Sequence, residues 1–419
     1  MRLGNELSEH RAEVLGLLQQ TIALASMSGN EGDCTRTVEQ WVRERGFQTD
    51  LWETDEADLA AWSPPAADHI PLSGRPTLVV RLPGRGGGRS LILNAHSDVV
   101  PAGEAGTWRF PPWLGALSDG CVYGRGACDA KGPLAGALWA MLALRRRFPQ
   151  GLAGDLLLEL VPGEEDCVGL GTLTSIARGY RPDAAVVLEP TDNVPRCASR
   201  SGVRFEITCR GLAVHGTAKW LGKDAIRMMR DVLDALDRME KSWNVPPAGP
   251  LFVGCPIARP ITVDSIAGGQ WQGMVCERCS CSGYIELLPD DETEHWKGRF
   301  AEELKGAVPG ASLEVRFGEQ YAGHSTPVDH PLCGVAEMVM EEGSSEQRGG
   351  PAWRGWSAFN SGCEAGLRAD RQQTPTLVWG PGSLSQAHAP DEHIRFRDVE
   401  TFAGLLAHLA VRWSQLPRA

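Results

Sequence analysis

The chain has 419 residues, enough for two domains that each bury a core of their own. Hydrophobic residues make up 42% of it, which excludes a disordered chain, and no run of about 18 apolar residues occurs, which excludes a membrane-spanning helix. Acidic residues outnumber basic ones by 53 to 41, giving a net charge of −12, and no basic patch argues for a nucleic-acid partner.

The first residues lack the continuous apolar core of a signal peptide, and the twelve cysteines are scattered. The expectation is a cytoplasmic protein with reduced thiols. Residues 9–24 and 35–45 have helical periodicity. A Pro/Ala/Asp-rich loop is expected over 55–75, followed by a strand at 77–82. The Gly-rich stretch 83–89 lacks the Lys-Ser/Thr of a nucleotide loop and precedes another strand, so it reads as a strand-to-strand turn.

Residues 91–95 are an apolar run ending in His96-Ser97-Asp98. Asp129 follows in a Gly-flanked turn before a helix-like run at 133–144. The strand pattern 156–161 leads into Gly163-Glu164-Glu165-Asp166, and 184–188 into Glu189-Pro190. The strand at 376–379 precedes Gly380-Pro381-Gly382 and His388. A histidine or carboxylate thus follows each of several strands, where an open α/β sheet presents its ligands, and these donors suit hard or borderline metal ions. Taken singly, such a histidine is usually a surface or core residue, and Glu-Glu-Asp a solvated loop. Five separated motifs in order carry the chemical reading.

After Pro195 the pattern changes to strand 203–209, helix 224–239, strands 261–266 and 279–288, helix 294–304 and strand 312–317. This is the β-α-β-β-α-β order of a ferredoxin-like module, taken as an insertion over 198–318. The other domain is then 1–197 with 319–419, closed by a helix at 398–416. Within the insertion, Cys276, Cys279 and Cys281 read as packed thiols; a structural zinc is the alternative.

These motifs resemble the metallopeptidase and deacylase family that includes acetylornithine deacetylase, succinyl-diaminopimelate desuccinylase, aminoacylase and glutamate carboxypeptidase. The resemblance implies an α/β, zinc-peptidase-like catalytic domain with a mixed sheet, plus an inserted ferredoxin-like α+β dimerisation or lid domain. It implies two divalent metal ions, zinc first, with cobalt or manganese also accepted. Asp129 would bridge them, His96 and Glu189 completing one site and Glu165 and His388 the other. Glu164 would be the general base and Asp98 would accept the second imidazole N–H of His96. Glu392 resembles the family's acidic residue after the ligand histidine, with support of the loop as the alternative. His215, in Arg210-Gly211-Leu212-Ala213-Val214-His215-Gly216-Thr217, would reach a partner's active site across a homodimer and help hold the oxyanion.

The implied activity is removal of an acyl group from the nitrogen of a small-molecule substrate, an amino acid or related amine. Alternatives are a dipeptidase or carboxypeptidase on the same scaffold, a hydrolase of formyl or carbamoyl groups, or an inactive metal-binding homologue. The chain departs from the family at its carboxylate clamp: Gly273 and Cys276 stand where Asn and Pro are expected, and the strand that follows has no anchoring Arg. Arg259 and Arg368 are the candidate replacements, with a surface role as the alternative for each. Glu286 would favour a cationic substrate if it faced the pocket, and would otherwise face solvent.

Overall fold

The computed structural model describes residues 4–59, 72–167, 169–244, 249–343 and 352–418. Residues 60–71 of the loop expected at 55–75 lie outside this set. The chain divides into two compact units. One comprises Met1–Ala198, His324–Phe359 and Cys363–Ala419; the other comprises Ser199–Gly323 and Asn360–Gly362.

The first unit is built on a six-stranded sheet in the order Gln48–Glu53, Pro76–Leu82, Leu156–Val161, Leu91–His96, Ala185–Val187 and Thr376–Val378. The last four strands are parallel, and Pro76–Leu82 runs antiparallel to both its neighbours, so the sheet is mixed. Leu91–His96 and Leu156–Val161 are buried at every residue, as near-continuous apolar strands must be when both faces of a sheet are covered. Helices Gly4–Ala23, Lys131–Arg147 and Phe396–Ser414 pack on one another. Helix Lys131–Arg147 is buried from Lys131 to Leu144, which explains why its sequence has little amphipathic contrast. Gly136 permits the close approach of Phe396–Ser414: a Cβ there would lie 2.8 Å from the Phe402 ring.

In the second unit, strands Ile261–Gly268, Arg278–Leu287, Ser201–Arg210 and Ser312–Tyr321 form an antiparallel sheet in that spatial order. Helices Ala225–Trp243 and Thr293–Ala307 contribute Met229, Leu236, Trp243, Phe300 and Leu304 to the core they share with the sheet. Strand Arg278–Leu287 alternates in burial, so Cys279, Cys281, Ile285 and Leu287 face that core. Cys276 and Cys209 join them, and these thiols pack as apolar side chains. Ile261–Gly268 is an edge strand and largely exposed. Glu286 faces neither solvent nor the thiol core: its carboxylate takes the backbone N–H of Gly362, and burial pushes its pKa up to about 7. No described helix is long and apolar enough to cross a membrane.

Candidate active site

Four adjacent parallel strands of the first unit end at one edge of the sheet, and the chemistry-bearing residues sit where they end. His96 closes Leu91–His96, Glu164 and Glu165 follow Leu156–Val161, Glu189 follows Ala185–Val187, and His388 lies beyond Thr376–Val378. Leu91–His96 is flanked by strands that connect in opposite directions along the chain, which is the switch point where such sheets open a crevice. Asp129 enters from the turn after the hairpin Ala116–Ser118/Cys121–Tyr123, immediately before helix Lys131–Arg147.

Asp129 lies between the two histidines. One carboxylate oxygen is 3.0 Å from Nε2 of His96, and the other is 3.6 Å from Nε2 of His388. His388 Nε2 is also 3.1 Å from Glu165, and Glu189 shares a hydrogen bond with Asp129. Among the described residues, His96, Asp129 and Glu165 form the one group with metal-holding geometry, their ligand atoms all within 4.8 Å of one another. His388 has φ +59, in the left-handed region that a histidine occupies at some cost in strain, as residues at functional sites often do.

The electrostatics fit a cation site. Burial, then the neighbouring Glu189 charge, lift the pKa of Glu164 well above the carboxylate range; burial and Asp129 do the same for Glu189. Burial raises Glu165 as well. Burial opposes ionisation of Asp129, yet the hydrogen bond and charge of His96 hold it below its usual value. The hydrogen bond to Glu165 raises His388 to about 9. Four carboxylates and two imidazoles share one largely dry locus, and protons alone satisfy them poorly. Two divalent cations would remove that repulsion, and the mixed N/O donor set suits zinc, cobalt or manganese.

Two supporting carboxylates act mainly on backbone amides. Asp98 was expected to accept the second N–H of His96 on its carboxylate, but its backbone carbonyl does so, 2.9 Å from Nδ1, while the carboxylate stands 3.8 Å away. That carboxylate instead accepts the backbone N–H groups of Gly163, Glu164 and Glu165 at 3.0–3.2 Å. Three amides aimed at one buried carboxylate are a stronger claim on it than one imidazole. Glu392 accepts the backbone N–H groups of Cys128 and Asp129 at 2.9 and 3.1 Å, and is itself held by Arg125 at 2.6 Å. It therefore fixes the turn that presents Asp129.

His215 belongs to the second unit and is exposed. Its Nδ1 lies 2.7 Å from the Thr217 hydroxyl and 3.3 Å from the Thr217 backbone N. Neither proposed clamp residue is available to a substrate. Arg259 is held bidentately by Asp291 at 2.7 and 2.8 Å, and Arg368 is fully buried and paired with Glu159.

The fold and site define a metal-dependent hydrolase of amide C–N bonds. The chain belongs to peptidase family M20/M25/M40, whose model matches residues 92–412. It is 25% identical to an N-formyl-4-amino-5-aminomethyl-2-methylpyrimidine deformylase of Halalkalibacterium halodurans, over 99% of this chain and 97% of that protein. It is 28% identical to an acetylornithine deacetylase of Vibrio parahaemolyticus, over 85% and 90% of the two chains. Its fold is similar to that of the dipeptidase Dug1p from Saccharomyces cerevisiae, with a TM-score of 0.78 at 15% identity, covering 99% and 98% of the two chains.

Proposed function

We propose that this protein removes an acyl group from the nitrogen of an amino acid or related small amine. The observation that carries the reading is the convergence of His96, Glu165, Glu189 and His388, carried at or beyond the ends of four parallel strands, around the carboxylate of Asp129. Asp129 would bridge two divalent ions, His96 and Glu189 completing one site and Glu165 and His388 the other, with zinc the expected metal. Ions bound there acidify a water molecule and polarise the scissile carbonyl. Glu164, beside the ligands and with a raised pKa, takes the proton from water and delivers it to the leaving nitrogen.

The catalytic domain is assigned to 1–197 with 319–419, and the insertion 198–318 to dimerisation and active-site closure. The exposed edge strand Ile261–Gly268 supports a homodimer, because an unpaired edge invites pairing with a second copy. His215 of that copy, its ring held at Nδ1 by Thr217, would donate to the oxyanion. The twelve cysteines, present as thiols, support a cytoplasmic location.

A second reading is hydrolysis of an N-formyl group on an amine that lacks a carboxylate. It is supported by Arg259 and Arg368 being engaged in ion pairs, and by the deformylase relative that aligns along nearly the whole chain. The test is a screen of N-acetyl, N-formyl, N-succinyl and N-carbamoyl amines and dipeptides on metal-stripped enzyme, with zinc, cobalt or manganese added back singly. Metal-dependent turnover is expected, and the best substrate separates deacylase, deformylase and dipeptidase. Turnover that survives both chelation and Glu164→Ala would sink the proposal.

A further inference from the structure

The loop between Val161 and Leu170 carries both Glu164 and Glu165, and it is gripped from outside the ligand set. Asp98, fully buried, takes three of its amides and also accepts the hydroxyl of Ser28 at 2.9 Å. One residue past Glu165, the carboxylate of Asp166 lies 2.8 Å from Nη2 of Arg75. Arg75 is fully buried, and its Nε and Nη2 donate to Glu31 at 3.0 and 2.6 Å. Glu31 is equally buried and accepts the backbone N–H of Gly29 at 3.0 Å. The turn formed by residues 28–31 thus holds the loop at two points, through Asp98 and through Arg75. The fit is close: a Cβ on Gly163 would lie 3.3 Å from both Arg75 Nη2 and Asp166 Oδ1, and Gly163 has φ +82.

A buried ion pair is a weak source of net stability, because desolvation offsets most of the attraction. A planar guanidinium that spans two carboxylates from separate segments does fix geometry, and a lysine cannot reproduce that fork. We propose that Arg75, acting through Asp166 and anchored by Glu31, is a positioning residue that sets where Glu164 and Glu165 stand. This rests on the assignment of Glu164 as base and Glu165 as ligand.

The test uses full-length Asp166→Ala, Asp166→Asn and Arg75→Lys, stripped of metal and titrated with Co2+ by absorbance, with kcat, KM and Tm measured alongside. Asp166 is partly exposed, so its variants are expected to fold. Asp166→Ala and Arg75→Lys should weaken cobalt binding about 10–100-fold, the scale seen when a partner of a metal ligand is lost. Their kcat should fall by a similar factor with KM changed by less than about twofold, the pattern of a lost transition-state interaction. Asp166→Asn, which keeps an acceptor oxygen, should recover most of both. Unchanged cobalt affinity and kcat in Asp166→Ala would overturn the proposal, as would a fall in Tm alone. A wild type that binds no cobalt would overturn the metal reading and this proposal together. Wild-type binding, with Glu164→Ala inactive and Asp166→Ala normal, would overturn this proposal only.

Discussion

Glu164 and Glu165 are adjacent in sequence, yet their surroundings differ. Glu165 meets His388, whereas burial and the Glu189 charge keep Glu164 inclined to hold a proton. Glu164→Gln should therefore bind metal at wild-type stoichiometry while kcat falls by about 10²–10⁴, the range for loss of a general base; metal analysis beside steady-state kinetics checks both halves. His324 offers a stability prediction away from the site. Burial pushes its pKa down to about 4, with Nε2 3.2 Å from the Thr376 carbonyl. The unfolded chain binds the proton near 6.5, so between pH 6.5 and 4 the unfolded state holds more protons and stability falls as pH drops. The loss approaches roughly 3 kcal/mol at the acid end. Urea titrations at pH 7 and 4.5 should show wild type losing more stability than His324→Gln, and equal losses would contradict the assignment. At this scale His96, Glu165 and Glu189 were legible as candidate ligands because each ends or closely follows a strand whose apolar run is visible in the sequence. Asp98 and Glu392 were legible as supports, but their partners were not. Asp98 and Glu392 act on backbone amides of distant turns, and Arg75 joins segments 44 and 91 residues away, a pairing with no local signature.

Elements with a strong apolar period were legible, and those without it were not. The expected strands at 156–161 and 279–288 and helices at 224–239 and 398–416 correspond to Leu156–Val161, Arg278–Leu287, Ala225–Trp243 and Phe396–Ser414. The edge strand Gln48–Glu53 has only Leu51 and Trp52 to announce it, and helix Leu170–Ala177 is short and rich in hydroxyl residues. The hairpin before Asp129 left a readable signal: Asp119-Gly120, both at positive φ, is a favoured two-residue turn. Arg368 was misplaced because its partner Glu159 lies on a central strand, and nothing local announces a buried pair. Packing between helices gives the prediction at this scale. Gly136→Val would drive a Cβ to 2.8 Å from Phe402 and 3.4 Å from the Val399 carbonyl. Overpacking of this kind costs about 1–3 kcal/mol, to be read as a lower Tm, with kcat at permissive temperature little changed. A variant as stable as wild type would mean that the helix pair can slide apart at no cost.

For the whole molecule, the decisive question is whether one chain contains a complete active site. The candidate metal ligands and Glu164 belong to the first unit, and His215 to the second. If the second unit serves a neighbouring copy, the species in solution has twice the 45.3 kDa mass of the chain, and each site draws its oxyanion donor from the other subunit. That arrangement has a consequence no single-chain site shares. Glu164→Ala and His215→Ala should each be inactive as homodimers. In a mixed dimer, one site carries both lesions and the other carries neither. Random reassortment makes half the dimers mixed, so equal amounts of the two inactive proteins, dissociated and reassembled together, should regain about a quarter of wild-type kcat per chain. Light scattering on the same samples establishes the mass. If the mixture stays inactive although mass analysis shows mixed dimers, His215 serves its own chain, and the second unit closes over its own catalytic domain.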